Sequence, residues 1–212
     1  MKTKLLQILN KWPKNYIFSS DLKPIFITSS DDSFHSLLKR AVQDGTLIRV
    51  KRDLYLIGSQ IEDVKPDSFE IAALIYGPSC ISMESALSFH GWIPEAVPIT
   101  ISACTKKTKN FETPIGTFSY YHIPLSIFHV GISTIKNYDS NFFIADPWKA
   151  LADLIYFKKK SWPNSISLSN DMRIEMDLMQ HFDLQLLEKL MSIYPSKIVR
   201  KTLKSIFKDL NK

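Results

Sequence analysis

The sequence predicts an α+β protein, and three observations support this class. Helical apolar patterns fill the first 45 residues, short β-rich runs follow at 46–57 and from about 99 to 144, and helical patterns return toward the end. Because strands and helices are grouped rather than strictly alternating, we expect a mostly antiparallel sheet. A polar stretch at 58–66 divides the chain into residues 1–61 and residues 62–212, the latter with a C-terminal helical segment from about residue 171.

Composition and charge indicate a folded protein whose first part is basic. With 45% apolar and 23% charged residues, the 212-residue chain is typical of a folded globular protein. Residues 1–60 carry ten Lys and Arg against five Asp and Glu, whereas residues 61–212 carry seventeen against sixteen. This local excess favours an anionic partner for the first part. The first 18 residues mix apolar and polar side chains, so we expect no signal peptide, no membrane association and a cytoplasmic location.

Three helices are predicted before residue 45. An apolar stripe from Leu5 to Trp12 indicates the first, which Pro13 ends, and the capping cluster 19–21 indicates a short second helix. The third begins at the capping cluster 29–31 and ends at Gly45, a residue that adopts the left-handed conformation without steric cost. Its apolar face consists of Phe34, Leu37, Leu38, Ala41 and Val42.

A hairpin is predicted at 46–57, with a basic tip at 51–53 between two apolar runs. Three helices followed by such a hairpin make a winged helix-turn-helix, whose third helix enters the DNA major groove while the hairpin reaches the flanking backbone. A small helical bundle with a solvated basic loop is an open alternative. The side chains expected to bind double-stranded DNA are Ser33, His35, Ser36, Lys39, Arg40, Gln43, Arg49, Lys51 and Arg52.

In the second part, helices are predicted at 68–76 and 82–90, before a β-rich middle. The predicted strands are 99–103, a hairpin at 113–123, 127–135 and 142–144. A helix begins at Asp146, which acts as the N-cap before Pro147, and further helices are predicted at 172–180, 184–194 and 197–210.

Several carboxylates of the second part are candidates for a magnesium site of a nuclease or nucleotidyltransferase. These are Glu84, Glu112, Asp146 and Asp153, with Lys149 nearby. Each also has a structural explanation: Asp146 as a helix cap, Lys149 and Asp153 as a surface pair, Glu84 as a first-turn acid. We expect no catalytic residue and no metal; a metal-dependent, nuclease-like enzyme targeted by a winged helix is the alternative function.

The histidines and cysteines of the second part also have structural explanations. His90 fits a helix C-terminus and His122 a strand face, although either could serve as a base. Cys80 and Cys104 have no zinc-ligand spacing, so both are expected to be free thiols. No glycine-rich phosphate loop occurs in the sequence, and we expect no cofactor.

Four stretches of the sequence resemble stretches of one known protein family. They are LIRVKRDLY at 47–55, ISMESALSFHGWIPE at 81–95, FETPIGTFSYYHI at 111–123 and ADPWKALADLIY at 145–156. Together they resemble the AbiEi family of abortive-infection antitoxins, over about residues 1–160. One departure is Asp53 at the hairpin tip, where the family often has glycine; aspartate tolerates the left-handed conformation but adds negative charge beside DNA.

The resemblance implies a transcriptional autorepressor that is also the antitoxin of a type IV toxin-antitoxin pair. It would bind its own operator, with repeated half-sites, and neutralise a nucleotidyltransferase toxin without a stable complex. The second-part residues considered for the antitoxic activity are Glu84, His90, His122, Lys149 and Asp153.

Overall fold

The computed structural model describes residues 2–26, 30–58, 66–136, 140–180 and 182–211. Within them the chain is mixed α+β, with a six-stranded sheet, a separate three-stranded sheet and a group of C-terminal helices. None of the helices in these ranges is long and apolar enough to cross a membrane. The boundary expected near residue 62 lies outside the described residues.

The first part contains the predicted helices and hairpin in the predicted order. Its described elements are α1 (Lys2–Leu9), β1 (Tyr16–Phe18), α2 (Ser19–Leu22), a 3₁₀ turn (Lys23–Phe26), α3 (Asp31–Gln43), β2 (Leu47–Lys51) and β3 (Leu54–Ile57). The strands form an antiparallel sheet in the order β1-β3-β2. Strand β1 has no sequence prediction because three residues are too few to show an alternating pattern.

Local signals at both ends of α3 explain where it begins and ends. Ser30 caps its first turn, accepting a hydrogen bond at its Oγ from the backbone N–H of Ser33 at 3.3 Å. Gly45 follows the helix with φ +77°, in the left-handed region. Asp53 in the hairpin turn is also left-handed, with φ +65°, as expected. These turns place α3 directly before the hairpin.

Strand β3 is buried on both faces and joins two apolar cores. Because alternate strand residues point to opposite faces, Tyr55 and Ile57 pack in one core while Leu54 and Leu56 pack in the other. The first core otherwise consists of Leu5, Leu9, Ile17, Leu22, Phe26, Phe34, Leu37, Leu38, Ala41 and Leu47. The second core is the large one, between the six-stranded sheet and its helices.

The second part contains the remaining described elements. These are α4 (Ser68–Ile75), β4 (Ser79–Ile81), α5 (Met83–Phe89), β5 (Thr100–Cys104), β6 (Lys109–Thr113), β7 (Gly116–His122), α6 (Leu125–Phe128), β8 (Ile132–Lys136), β9 (Asn141–Ala145), α7 (Pro147–Lys158), α8 (Ser165–Met172), α9 (Met176–Gln180), α10 (Leu184–Ile193) and α11 (Lys197–Leu210). The sheet order is β6-β7-β5-β4-β9-β8. The pairs β6–β7, β5–β4 and β9–β8 are antiparallel, and the pairs β7–β5 and β4–β9 are parallel.

Helices cover both faces of this sheet, as two neighbouring residues of β7 demonstrate. The Tyr120 hydroxyl donates to the Ala72 carbonyl in α4 at 2.7 Å. The next residue, Tyr121, stacks on Phe157 of α7 with 3.8 Å between the ring centroids. Because consecutive strand residues point to opposite faces, α4 and α7 lie on opposite sides of the sheet. Helices α10 and α11 then pack on α7.

Three predicted elements of the second part are wrong in their bounds. The segment 127–135 is not one strand: it begins in the short helix α6, which starts after Pro124, and becomes a strand at Ile132. The predicted helix 172–180 begins only at Met176, because Met172 is the last residue of α8, which the left-handed Arg173 (φ +53°) ends. The hairpin at 113–123 starts earlier, at Lys109, on an exposed edge strand that lacks apolar alternation.

Candidate nucleic-acid interface

Helix α3 separates an apolar inner face from a polar outer face. Phe34, Leu37, Leu38 and Ala41 are buried in the first core. The outer face exposes six of the side chains that were expected to bind DNA, namely Ser33, His35, Ser36, Lys39, Arg40 and Gln43. The inner face therefore holds the helix against the protein while these side chains remain open to solvent.

Some residues on the outer face already form hydrogen bonds within the protein, and others do not. Ser33 belongs to the helix cap, since its hydroxyl accepts a hydrogen bond from the Ser30 hydroxyl at 2.9 Å. The Arg40 guanidinium donates through Nε to the Ser36 carbonyl at 3.2 Å, which directs it along the helix. No carboxylate in the described part of the chain forms an ion pair with Lys39 or Arg40. Their charges are therefore available to an anionic ligand.

A cleft of about 430 Å³ separates α3 from the hairpin. Its polar lining comes from His35, Lys39 and Gln43 of the helix and from Arg49, Arg52 and Asp53 of the hairpin. Asp53 reduces the positive charge: its carboxylate lies 3.5 Å from Arg52 Nε and accepts from the Ser19 hydroxyl at 2.9 Å. Three cations against one carboxylate leave the cleft positive on balance.

Arg40 and Gln43 also line a second cleft, of about 560 Å³, on the α1 side of α3. There the Lys2 ammonium lies 2.7 Å from the Asp44 carboxylate. Hydrogen bonds from Lys2 and Thr46 lower the pKa of Asp44 to about 2. Asp44 thus ties α1 to the end of α3, and the polar face of α3 extends between the two clefts.

Lys51 was expected among the DNA-binding residues, but its ammonium group is already engaged inside the protein. It donates to the carbonyls of Leu74 and Ile75, at 2.8 and 2.7 Å, at the C-terminal end of α4. A cation at this end of a helix satisfies terminal carbonyls and interacts favourably with the helix dipole. We therefore leave Lys51 out of the proposed interface and assign it to holding the hairpin on the second part.

The prediction that Lys149 and Asp153 form a surface pair is wrong. Both side chains are fully buried, and the ammonium lies 2.6 Å from each carboxylate oxygen. Asp153 also accepts from the Ser82 hydroxyl at 2.7 Å and from the Tyr194 hydroxyl at 3.0 Å. The carboxylate therefore connects α7 with the start of α5 and the end of α10. Burial, together with this carboxylate, raises the pKa of Tyr194.

The other second-part candidates lie in separate places. Glu84 forms an ion pair with Lys158 of α7. His90 is half-buried with Nε2 3.0 Å from the Ala145 carbonyl, and burial lowers its pKa. His122 is exposed, with Nδ1 3.1 Å from the Lys106 carbonyl. Among the described contacts, none connects these three residues to one another or to the buried Lys149–Asp153 pair, so the structure does not bring the five candidates together.

The remaining candidates occupy structural positions. Asp146 caps α7, as predicted, by accepting from the Trp148 backbone N–H at 2.8 Å, and burial raises its pKa to about 6. Glu112 lies exposed on the edge strand β6. Cys80 and Cys104 are buried free thiols, as predicted. Among the described residues, no group of three or more His, Cys, Asp or Glu side chains is placed to hold a metal ion.

Sequence reasoning missed a second basic segment, which consists of Lys106, Lys107 and Lys109. All three side chains are exposed, and the segment lies where β5 leads into β6. The available signal was three lysines within four residues without an acidic neighbour. It also missed Ser82 and Tyr194 as partners of Asp153, because hydroxyl residues that lie far from Asp153 in the sequence carry no local signal.

Comparison with known proteins identifies no family for this chain: no family model and no curated protein matches it.

Proposed function

We propose that this chain binds double-stranded DNA through a winged helix-turn-helix, with α3 in the major groove and the β2–β3 hairpin along the flanking backbone. The observation that carries the proposal is the exposed polar face of α3 beside a cleft that Lys39, Arg49 and Arg52 line. Arginine, lysine and glutamine side chains are suited to phosphate oxygens and base edges. The capped, core-packed helix would present them in a fixed register.

We further propose that the DNA is the operator of the chain's own gene, with repeated half-sites, so that the protein is an autorepressor. Its second role would be that of a type IV antitoxin against a nucleotidyltransferase toxin, without a stable complex. The support is the resemblance of residues 1–160 to the AbiEi antitoxins, together with the basic surface of the first part.

The DNA-binding proposal is tested by titrating full-length protein against a labelled duplex from upstream of its own gene and against a scrambled duplex. Both titrations are made at two salt concentrations. Lys39→Ala and Arg40→Ala each remove one exposed cation from α3, and Lys201→Ala removes a matched exposed cation from α11. A lost phosphate contact should weaken binding and lower the slope of log affinity against log salt by about 0.9.

Selective, salt-sensitive binding that either α3 variant weakens, and that Lys201→Ala leaves unchanged, supports the proposal. Binding that is unchanged in both α3 variants contradicts the assignment of α3 as the reading helix. A protein that does not distinguish the upstream duplex from the scrambled one contradicts the operator role.

The antitoxin proposal is tested by rescue of cells that express a nucleotidyltransferase encoded beside the gene. Wild-type protein should restore growth. Glu84→Ala and His90→Ala test the second-part candidates, with Glu188→Ala on the exposed face of α10 as the control. Full rescue by both folded variants removes these two residues from the antitoxic activity, and failure of the wild type to rescue contradicts the antitoxin role.

A further inference from the structure

One basic segment outside the α3 cleft has no role in the proposed function. We call Lys106, Lys107 and Lys109 the basic loop. No carboxylate in the described ranges forms an ion pair with any of them. Three exposed, unneutralised cations within four residues produce a local positive potential that attracts a polyanion.

The end of α4 holds the basic loop beside the DNA-binding hairpin. On one side, Lys51 of the hairpin donates to the Leu74 and Ile75 carbonyls. On the other, the hydroxyl of the next residue, Tyr76, donates to the Lys107 carbonyl at 3.2 Å. The Lys106 ammonium lies 5.3 Å from the centre of the Tyr76 ring. Strand β2 of the hairpin also packs directly against β6, so the two basic segments are neighbours.

Contacts with neighbouring residues hold the basic loop in place and leave its ammonium groups exposed to solvent. The His122 backbone N–H donates to the Thr108 hydroxyl at 3.1 Å, and His122 Nδ1 contacts the Lys106 carbonyl. The Lys109 ammonium lies 4.8 Å from the centre of the Phe111 ring. Aromatic faces therefore support two of the ammonium groups without neutralising them.

The basic loop also acts electrostatically on Lys51 of the hairpin. Burial is the larger cause that lowers the pKa of Lys51, and the charge of Lys106 lowers it further. The Lys106 charge therefore adds to the positive potential beside the hairpin, where it attracts anions. DNA phosphates are such anions.

We propose that the basic loop contacts the DNA backbone beside the site read by α3, so that the second part of the chain extends the DNA interface. This inference rests on the proposed DNA binding. Lysine ammonium groups bind phosphates as point charges and carry no base-reading geometry. The loop is therefore expected to add affinity to any duplex, whereas α3 adds selectivity.

The test uses the full-length protein and measures affinity by fluorescence anisotropy across a salt series, for the upstream and scrambled duplexes. The loop variant carries Lys106→Ala, Lys107→Ala and Lys109→Ala. The control variant carries Lys201→Ala, Lys204→Ala and Lys208→Ala, which remove the same charge from exposed positions on α11. Arg40→Ala is measured in parallel, and circular dichroism melting establishes that each variant is folded.

If the loop contacts phosphates, the loop variant should bind both duplexes at least about tenfold more weakly, and its salt slope should fall by up to about 2.7, or 0.9 per lost contact. The ratio of upstream to scrambled affinity should not change. A hydroxyl-radical footprint should also shorten on the flank beside the hairpin.

Other outcomes overturn the inference. If the loop variant matches the wild type while Arg40→Ala weakens binding, the loop is not part of the interface and the proposed function stands. If the α11 control loses as much affinity as the loop variant, net charge explains the effect and the loop assignment fails. If wild-type protein binds neither duplex, both the inference and the proposed DNA binding fail.

Discussion

Asp153 connects three helices of the second part, α5, α7 and α10. Its carboxylate accepts from Lys149, Ser82 and Tyr194, and the pair with Lys149 is completely shielded from water. Two buried charges offset the cost of their desolvation only while both remain and their hydrogen bonds are satisfied. The network is therefore a structural junction of the fold, and water does not reach it.

Removal of one partner of this pair should destabilise the protein strongly. Asp153→Ala leaves a buried ammonium without its counter-charge and is expected to lower the free energy of unfolding by about 3–5 kcal/mol. The exposed pair of Lys160 and Asp171 provides the control, because Lys160→Ala removes the surface ion pair but keeps the hydrogen bond from Trp162 to Asp171, and it should cost no more than about 1 kcal/mol. Urea unfolding measures both. Equal losses in the two variants would contradict the structural role of the buried pair.

The raised pKa of Asp146 predicts that the stability of the fold depends on pH. Burial, and then the nearby Asp183 carboxylate, raise its pKa from 3.8 to about 6 in the folded protein. Between these values the folded state holds a proton that the unfolded state has released, so stability falls as pH rises from about 4 to about 6. Asp146→Asn keeps an N-cap oxygen but cannot titrate. The stability difference between the wild type and this variant should change across that window; a constant difference would contradict the shift.

At the scale of elements, the hairpin has a structural role and a proposed role in DNA binding, and different residues carry the two. Lys51 attaches it to the end of α4, while Arg52 at its tip is almost fully exposed, with 90% of its side chain accessible. Burial on both faces holds β3 in place, so the tip projects from a rigid strand. The effect on stability and the proposed DNA contact can therefore be separated by mutation.

Lys51→Ala and Arg52→Ala should have opposite profiles. Lys51→Ala removes hydrogen bonds to two helix-end carbonyls and is expected to lower the free energy of unfolding by about 1–3 kcal/mol. Arg52→Ala should change stability by no more than about 0.5 kcal/mol but weaken DNA binding. Thermal melting and anisotropy titration of both variants measure the two effects. A destabilising Arg52→Ala combined with a neutral Lys51→Ala would reverse the assignment.

At the scale of the whole molecule, the two predicted parts share β3. Tyr55 and Ile57 belong to the first core, and Leu54 and Leu56 belong to the second. Unfolding of either part would expose one apolar face of this strand. The other two strands of the small sheet also face both cores, with Leu47 of β2 in the first core and Val50 in the second. The cores are therefore coupled through the three-stranded sheet, with β3 at its centre.

This coupling should make thermal unfolding cooperative. We expect one calorimetric transition whose measured enthalpy equals the van't Hoff enthalpy, because neither core is complete without β3. Trp12 fluoresces in the first part and the other tryptophans in the second, so a Trp12→Phe variant reports by fluorescence on the second part alone. Its fluorescence midpoint should coincide with the midpoint of the same variant's circular dichroism melt, which reports on both parts. Two resolved transitions would show that the parts unfold independently.

Elements with strong local signals were predictable from the sequence. The amphipathic period, the capping serine and the terminal glycine determine α3, and a clean apolar stripe determines α11. The unbroken run Leu54 to Ile57 correctly indicated a strand. Short strands such as β1 and β4 were not predictable, because three residues do not form a pattern and only their pairing partners stabilise them.

The sequence by itself determined the α+β class, the order of the first helices and hairpin, and the polar face of α3, since each depends on residues only a few positions apart. Only the tertiary structure decided which charges face the solvent. Ser82 and Asp153 meet across 71 residues, and Lys51 and Leu74 across 23. Whether a lysine is a surface cation or a buried partner depends on chain segments that the packing brings together, and local periodicity holds no information about them.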